Sequence, residues 1–149
     1  METVSFLTTA QIVEVISAFH DALEAHKESI NRLNVYPVPD GDTGTNMFLT
    51  VASVLEEMQP ADPNDREAVC EAMSHGSLMG ARGNSGVILS QVLRGMSSGF
   101  AKANVIDAQV LASALTEASV AADGAVMKPV EGTILTVVRE VARAARGAA

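Results

Sequence analysis

Apolar residues recur at helical spacing in about six separate stretches of this chain, each bounded by Gly, Pro, Asp or Asn. The first runs from about Ala10 to Leu33, with Thr8 or Thr9 as cap and Ile12, Val15, Ile16, Phe19, Leu23 and Ile30 on its apolar side. A second spans Thr43 to Met58. The turn-rich segment Gln59 to Asp65 then leads into a third, capped by Asp65 or Asn64 and fading through Gly76, Gly80 and Gly83. A fourth begins around Ser85, Asp107 caps a fifth, and a sixth follows Pro129-Val130-Glu131-Gly132. No alternating strand pattern competes with these, and there is no internal repeat. The pattern predicts an all-α domain covering residues 1–149.

Composition narrows the core. Apolar residues make up 48% of the chain but aromatics only 3%, with no Trp, so the interior must be built from Ala, Val, Leu, Ile and the 7 Met. That mixture suits close-packed helices better than a β-sandwich. A formal charge of −8 argues against nucleic acid as a partner, while leaving room for one small nucleotide. Cys70, the single cysteine, rules out an internal disulfide and reads as a small core residue. No signal segment and no run of 18 apolar residues is present, so membrane insertion is not expected and the cytoplasm is the expected location.

Three loop-to-helix entrances carry the chemistry. In Asn34-Val35-Tyr36-Pro37-Val38-Pro39-Asp40-Gly41-Asp42, two carboxylates flank a glycine on a Pro-stiffened loop. Mg²⁺ prefers oxygen ligands and commonly takes one or two carboxylates plus substrate phosphates, with Asn34 able to add a carbonyl oxygen. The same residues also read as a plain Asp-Gly turn in which Asp42 caps a helix. An EF-hand is excluded, because Gly44 and Val51 stand where ligands are needed. Thr43-Gly44-Thr45-Asn46 then offers hydroxyls, an amide and free N–H groups to an anion, or ordinary capping.

The second entrance is Gly80-Ala81-Arg82-Gly83-Asn84-Ser85-Gly86, either an anion cradle or a tight helix–helix turn capped by Ser85. It lacks the Gly-Lys-Ser/Thr ending of a P-loop. The third, Lys128-Pro129-Val130-Glu131-Gly132-Thr133, is weak alone. Three such entrances in one small helical chain fit a phosphate-rich ligand. His20, His26 and His75 have no metal-ligand spacing with one another and read as structural or surface residues.

Asn34 to Met47, Gly80 to Gln91 and Pro129 to Val137, in this order, resemble the DhaL-type nucleotide-binding domain. More closely they resemble the N-terminal kinase domain of bacterial fatty acid kinase ATP-binding subunits, the FakA type once labelled "Dak phosphatase". The resemblance covers essentially the whole chain. It implies an antiparallel barrel of eight helices, of which about six are present here, hence a C-terminally truncated domain. It also implies ATP or ADP held at one rim through two Mg²⁺ ions. By position, Asp40 and Asp42 become the metal ligands and catalytic carboxylates, and Asn34 stands nearest to a third Asp of the dihydroxyacetone kinase branch. Thr43, Gly44, Thr45 and Asn46 fall beside the phosphates, Gly83, Asn84, Ser85 and Gly86 on the terminal phosphate, and Thr133 near the nucleotide. Asp123-Gly124 stands where the family more often has Tyr and a helix former, implying a looser end to the fifth helix.

The activity so implied is phosphoryl transfer to the carboxylate of a fatty acid presented by a separate carrier protein of the DegV type, without a covalent intermediate on this domain. A homodimer of the full-length protein stays open. The alternatives are a dihydroxyacetone kinase nucleotide subunit and a non-catalytic helical module that binds lipid or a partner.

Overall fold

The computed structural model describes residues 4–149. Six α-helices follow one another: α1 (Thr9–Leu33), α2 (Thr43–Met58), α3 (Arg66–Met79), α4 (Gly83–Ala101), α5 (Ala108–Gly124) and α6 (Ile134–Ala148). There is no strand among the described residues, only an isolated antiparallel bridge that ties Leu7 to Ile106. This all-helical architecture agrees with a DhaL-type helical fold.

Local chemistry explains most of the boundaries. Thr8 and Gln11 form a capping box at the start of α1, and the carboxylates of Asp65 and Asp107 accept from Ala68 N and Val110 N at the starts of α3 and α5. Two expected boundaries shift. α3 does not fade at Gly76 but runs to Met79, because Gly76 is buried where a side chain would meet the backbone of Ser53 and Val54. α4 starts at Gly83 with Arg82 in the cap position, so Ser85 lies inside the first turn and is not its cap. α5 keeps its helical geometry through Asp123 to Gly124, so the expected loosening there does not appear in the backbone.

Consecutive helices pack side by side, α2 also touches α4, and α1 makes no contact with α6. Short connections make neighbours antiparallel. One core cluster joins α1 to α5 through residues such as Ile12, Val51, Val54, Met73, Leu93 and Ile106. A second, around Val92, Ala118, Ala122 and Leu135, seats α6. Cys70 belongs to the first cluster, and burial pushes its thiol up to about 11 despite the opposing pull of Arg66. His20 stacks near Phe48, and His75 pairs with Glu57 at 3.0 Å, as expected for structural and surface histidines. No described helix is long and apolar enough to cross a membrane.

Candidate functional site

The α1–α2 loop, the first turn of α4 and the α5–α6 loop close around one cleft of about 440 Å³. The three entrances are separated by tens of residues in sequence, and tertiary packing alone brings them together. A larger, more open groove of about 810 Å³ runs between α3, α4 and α5 but contains none of the three loop-to-helix entrances. The smaller cleft is the better candidate, because convergent polar groups rather than volume mark a binding site.

Asp40 and Asp42 both line the cleft and are exposed. Neither carboxylate has an ion pair or hydrogen bond among the described residues, and Asp42 does not cap α2 with its side chain. Their oxygens are therefore uncommitted, and two free carboxylates on one loop are the donor set a hard divalent cation accepts. Gly41 between them has φ +67°, a turn that a side chain would strain.

Asn34 also faces the cleft, but it braces the loop. Its Oδ1 accepts from Asp42 N (3.1 Å), Thr43 N (3.1 Å) and the Thr43 hydroxyl (2.7 Å), while Nδ2 donates to Val38 O (3.0 Å). Three donors on that oxygen make Asn34 a positioning residue of this loop, beside the metal-ligand role expected of it. Removing it leaves several donors unsatisfied. Asn34→Ala is expected to raise amide hydrogen exchange at Asp42 and Thr43 by about tenfold or more, the worth of one to two kcal/mol of hydrogen bonding. The exchange is measured by NMR, and unchanged protection there would refute the bracing role.

The helix starts differ in what they leave free. At α2, Thr43 N is taken by Asn34, and Thr45 N and Oγ1 are both engaged by Asn31 on α1 (3.1 and 2.9 Å). At α6, the Thr133 hydroxyl accepts from Leu135 N and donates to Val130 O. At α4 there is no side-chain cap, and the amides of Gly83, Asn84 and Ser85 have no partner among the described residues. Among the three entrances α4 leaves the most first-turn donors open, all three of its first amides, where the positive end of its dipole lies.

Of the residues singled out from the sequence, Asn34, Asp40, Asp42, Thr43, Asn84, Ser85 and Thr133 line the cleft. Gly44, Thr45, Asn46, Gly83 and Gly86 do not. Gly44 is packed on the backbone of Lys27, and Gly86 on Thr50. Gly83, at φ +61°, leaves room for the Asn46 amide, which a Cβ would meet at 2.3 Å. A fully buried Thr50 completes this bracing: its hydroxyl donates to Asn46 O and accepts from Arg82 N, holding the α3–α4 turn against α2. The cleft also has an apolar lining, with Tyr36, Val38, Val87 and Met127; the first three stand inside the motif stretches, but nothing in the sequence says that they face a ligand.

Residues 37–149 match the family described as the DAK2 domain. The chain belongs to the DAK2 domain family. This DAK2 domain is 49% identical over 132 residues to protein YloV of Bacillus subtilis, an alignment that takes in 89% of this chain and 24% of that protein. It is 51% identical over 123 residues to an uncharacterized protein of Staphylococcus haemolyticus, covering 83% of this chain and 22% of the other. The chain thus spans about a quarter of the length of these curated relatives. DAK2 domains are associated with kinase-type enzymes. In this one the cleft joins uncommitted carboxylates, open helix amides and an apolar wall, a set suited to a ligand with phosphate and apolar parts.

Proposed function

We propose that this DAK2 domain binds ATP·Mg²⁺ and transfers the terminal phosphoryl group to the carboxylate of a fatty acid held by a separate carrier protein of the DegV type, giving an acyl phosphate. The observation that carries the proposal is the convergence of Asp40, Asp42 and the open α4 amides on one cleft. Asp40 and Asp42 are the residues that would hold Mg²⁺, which when bound neutralises phosphate charge. The amides of Asn84 and Ser85, which line the cleft, bind and orient phosphoryl oxygens through fixed dipoles that need no reorganisation during transfer.

Phosphoryl transfer asks the protein mainly for alignment and charge balance. An acyl carboxylate oxygen bonds to the terminal phosphorus, the bridging P–O bond breaks, and ADP leaves with that electron pair. No residue in the cleft has to act as nucleophile. The carboxylate acceptor needs no general base either, because it is already ionised at neutral pH.

Titration calorimetry of ATP with and without Mg²⁺ tests the site, and phosphorylation assays with carrier-bound fatty acid and with dihydroxyacetone test the acceptor. Mg²⁺-dependent binding and acyl phosphate formation are expected. Binding indifferent to Mg²⁺ overturns the nucleotide site, and turnover of dihydroxyacetone alone overturns the fatty acid assignment.

A further inference from the structure

We infer that Lys128 is the cation that contacts the terminal phosphate in this cleft, and so the residue by which the site tells a nucleoside triphosphate from a diphosphate. The inference rests on the nucleotide reading above. Lys128 is the only cationic residue among those lining the cleft, and it sits on the α5–α6 loop, apart from the Asp40–Asp42 loop. It is exposed, with no ion pair and no hydrogen bond from its ammonium among the described residues.

The surroundings explain why that charge stays uncommitted. The nearest acid in sequence, Glu131, is consumed by Arg139 (2.6 Å) and by the Thr136 hydroxyl (3.0 Å). Those bonds hold the Glu131 carboxyl below its ordinary value, the Arg139 contact contributing most. Gly132 N donates to Thr136, and Thr133 binds Val130 O. The loop after Pro129 is therefore pinned to α6, while the side chain of Lys128 is left unpinned. Arg82, the alternative cation, does not line the cleft; it occupies the cap position of α4.

Charge balance gives that free ammonium a purpose. Two carboxylates line the cleft and the chain carries a formal charge of −8, a field that repels a polyphosphate. A triphosphate brings one more charged group than a diphosphate. A lysine on a flexible four-carbon stem, carried by a different loop from the carboxylates, can reach it. The same cation would stabilise charge on the phosphoryl oxygens as they transfer.

The test compares affinities of the whole 149-residue chain for a non-hydrolysable Mg·ATP analogue and for Mg·ADP in wild type, Lys128→Met and Lys128→Arg. Lys128→Met is expected to weaken the triphosphate about 10- to 100-fold, the worth of one charged hydrogen bond, and the diphosphate less than about threefold. Lys128→Arg should restore most of the difference, and the difference should shrink as salt rises. Melting curves should coincide, since the side chain is exposed. Wild-type binding with Mg²⁺ dependence, together with a Lys128→Met variant that binds both nucleotides as wild type does or loses both equally, overturns the inference alone. A wild-type chain that binds neither nucleotide overturns the site reading and this inference with it.

Discussion

Replacing Asp40 and Asp42 together by Asn is expected to weaken Mg²⁺-dependent nucleotide binding at least about 100-fold while the helical circular dichroism stays unchanged. Two lost charges at a divalent cation account for a change of that size, since hard cations bind through formal charge as much as through oxygen count. The fold should not respond. Both side chains are exposed, neither has a hydrogen bond or ion pair to lose, and α2 takes no cap from the Asp42 side chain. Substitutions at such positions usually stay within about 0.5 kcal/mol, and the loss of a carboxylate at a helix start adds only a few tenths. The informative readout is the ratio of affinities with and without Mg²⁺. A double variant that keeps the wild-type ratio would falsify the assignment of these carboxylates as metal ligands.

How much of this was legible in the sequence follows the range over which each feature is decided. The caps at Thr8, Asp65 and Asp107 were readable to within a residue because a cap is settled within three residues, whereas Asp42 and Ser85, which fit the same pattern, do not cap because the folded loops turn them elsewhere. The six helices and the three entrances were readable for the same reason. What the entrance residues face was not. Thr45 and Ser85 look alike as hydroxyls near a helix start, yet Thr45 turns to Asn31 on α1 and Ser85 lines the cleft. That difference comes from which neighbouring helix packs on which side, and no local pattern records it. Asn34 shows the same gap: its spacing from Asp40 suits a ligand, but its oxygen is claimed by backbone donors that only the folded loop aligns. Thr50 carried no motif and Lys128 stood in the third entrance with no role of its own; each matters because of what folding places beside it.

Gly44 is an entrance residue whose Cα face is given over to packing, and it supports the largest stability prediction. A Cβ at Gly44 would lie 2.2 Å from the Lys27 carbonyl oxygen and within 2.9 Å of two further backbone atoms of Lys27. Backbone cannot rotate away as a side-chain tip can, so α1 and α2 must separate. That shift would also strain the paired bonds between Asn31 and Thr45 at 2.9 and 3.1 Å. Gly44→Ala is therefore expected to destabilise by about 3 kcal/mol, the upper end for overpacking, because no soft neighbour absorbs the methyl group. For a domain of this size the loss lowers Tm by roughly 6–12 °C. Gly124→Ala is the matching control, since nothing lies within 4 Å of its added Cβ at the end of α5. It should leave the melting curve unchanged or raise it slightly, through better helix propensity and a less flexible unfolded chain. Thermal denaturation of the two variants beside wild type decides the matter: a Gly44→Ala chain that melts with the control would mean that the close approach of α1 and α2 costs nothing to relieve.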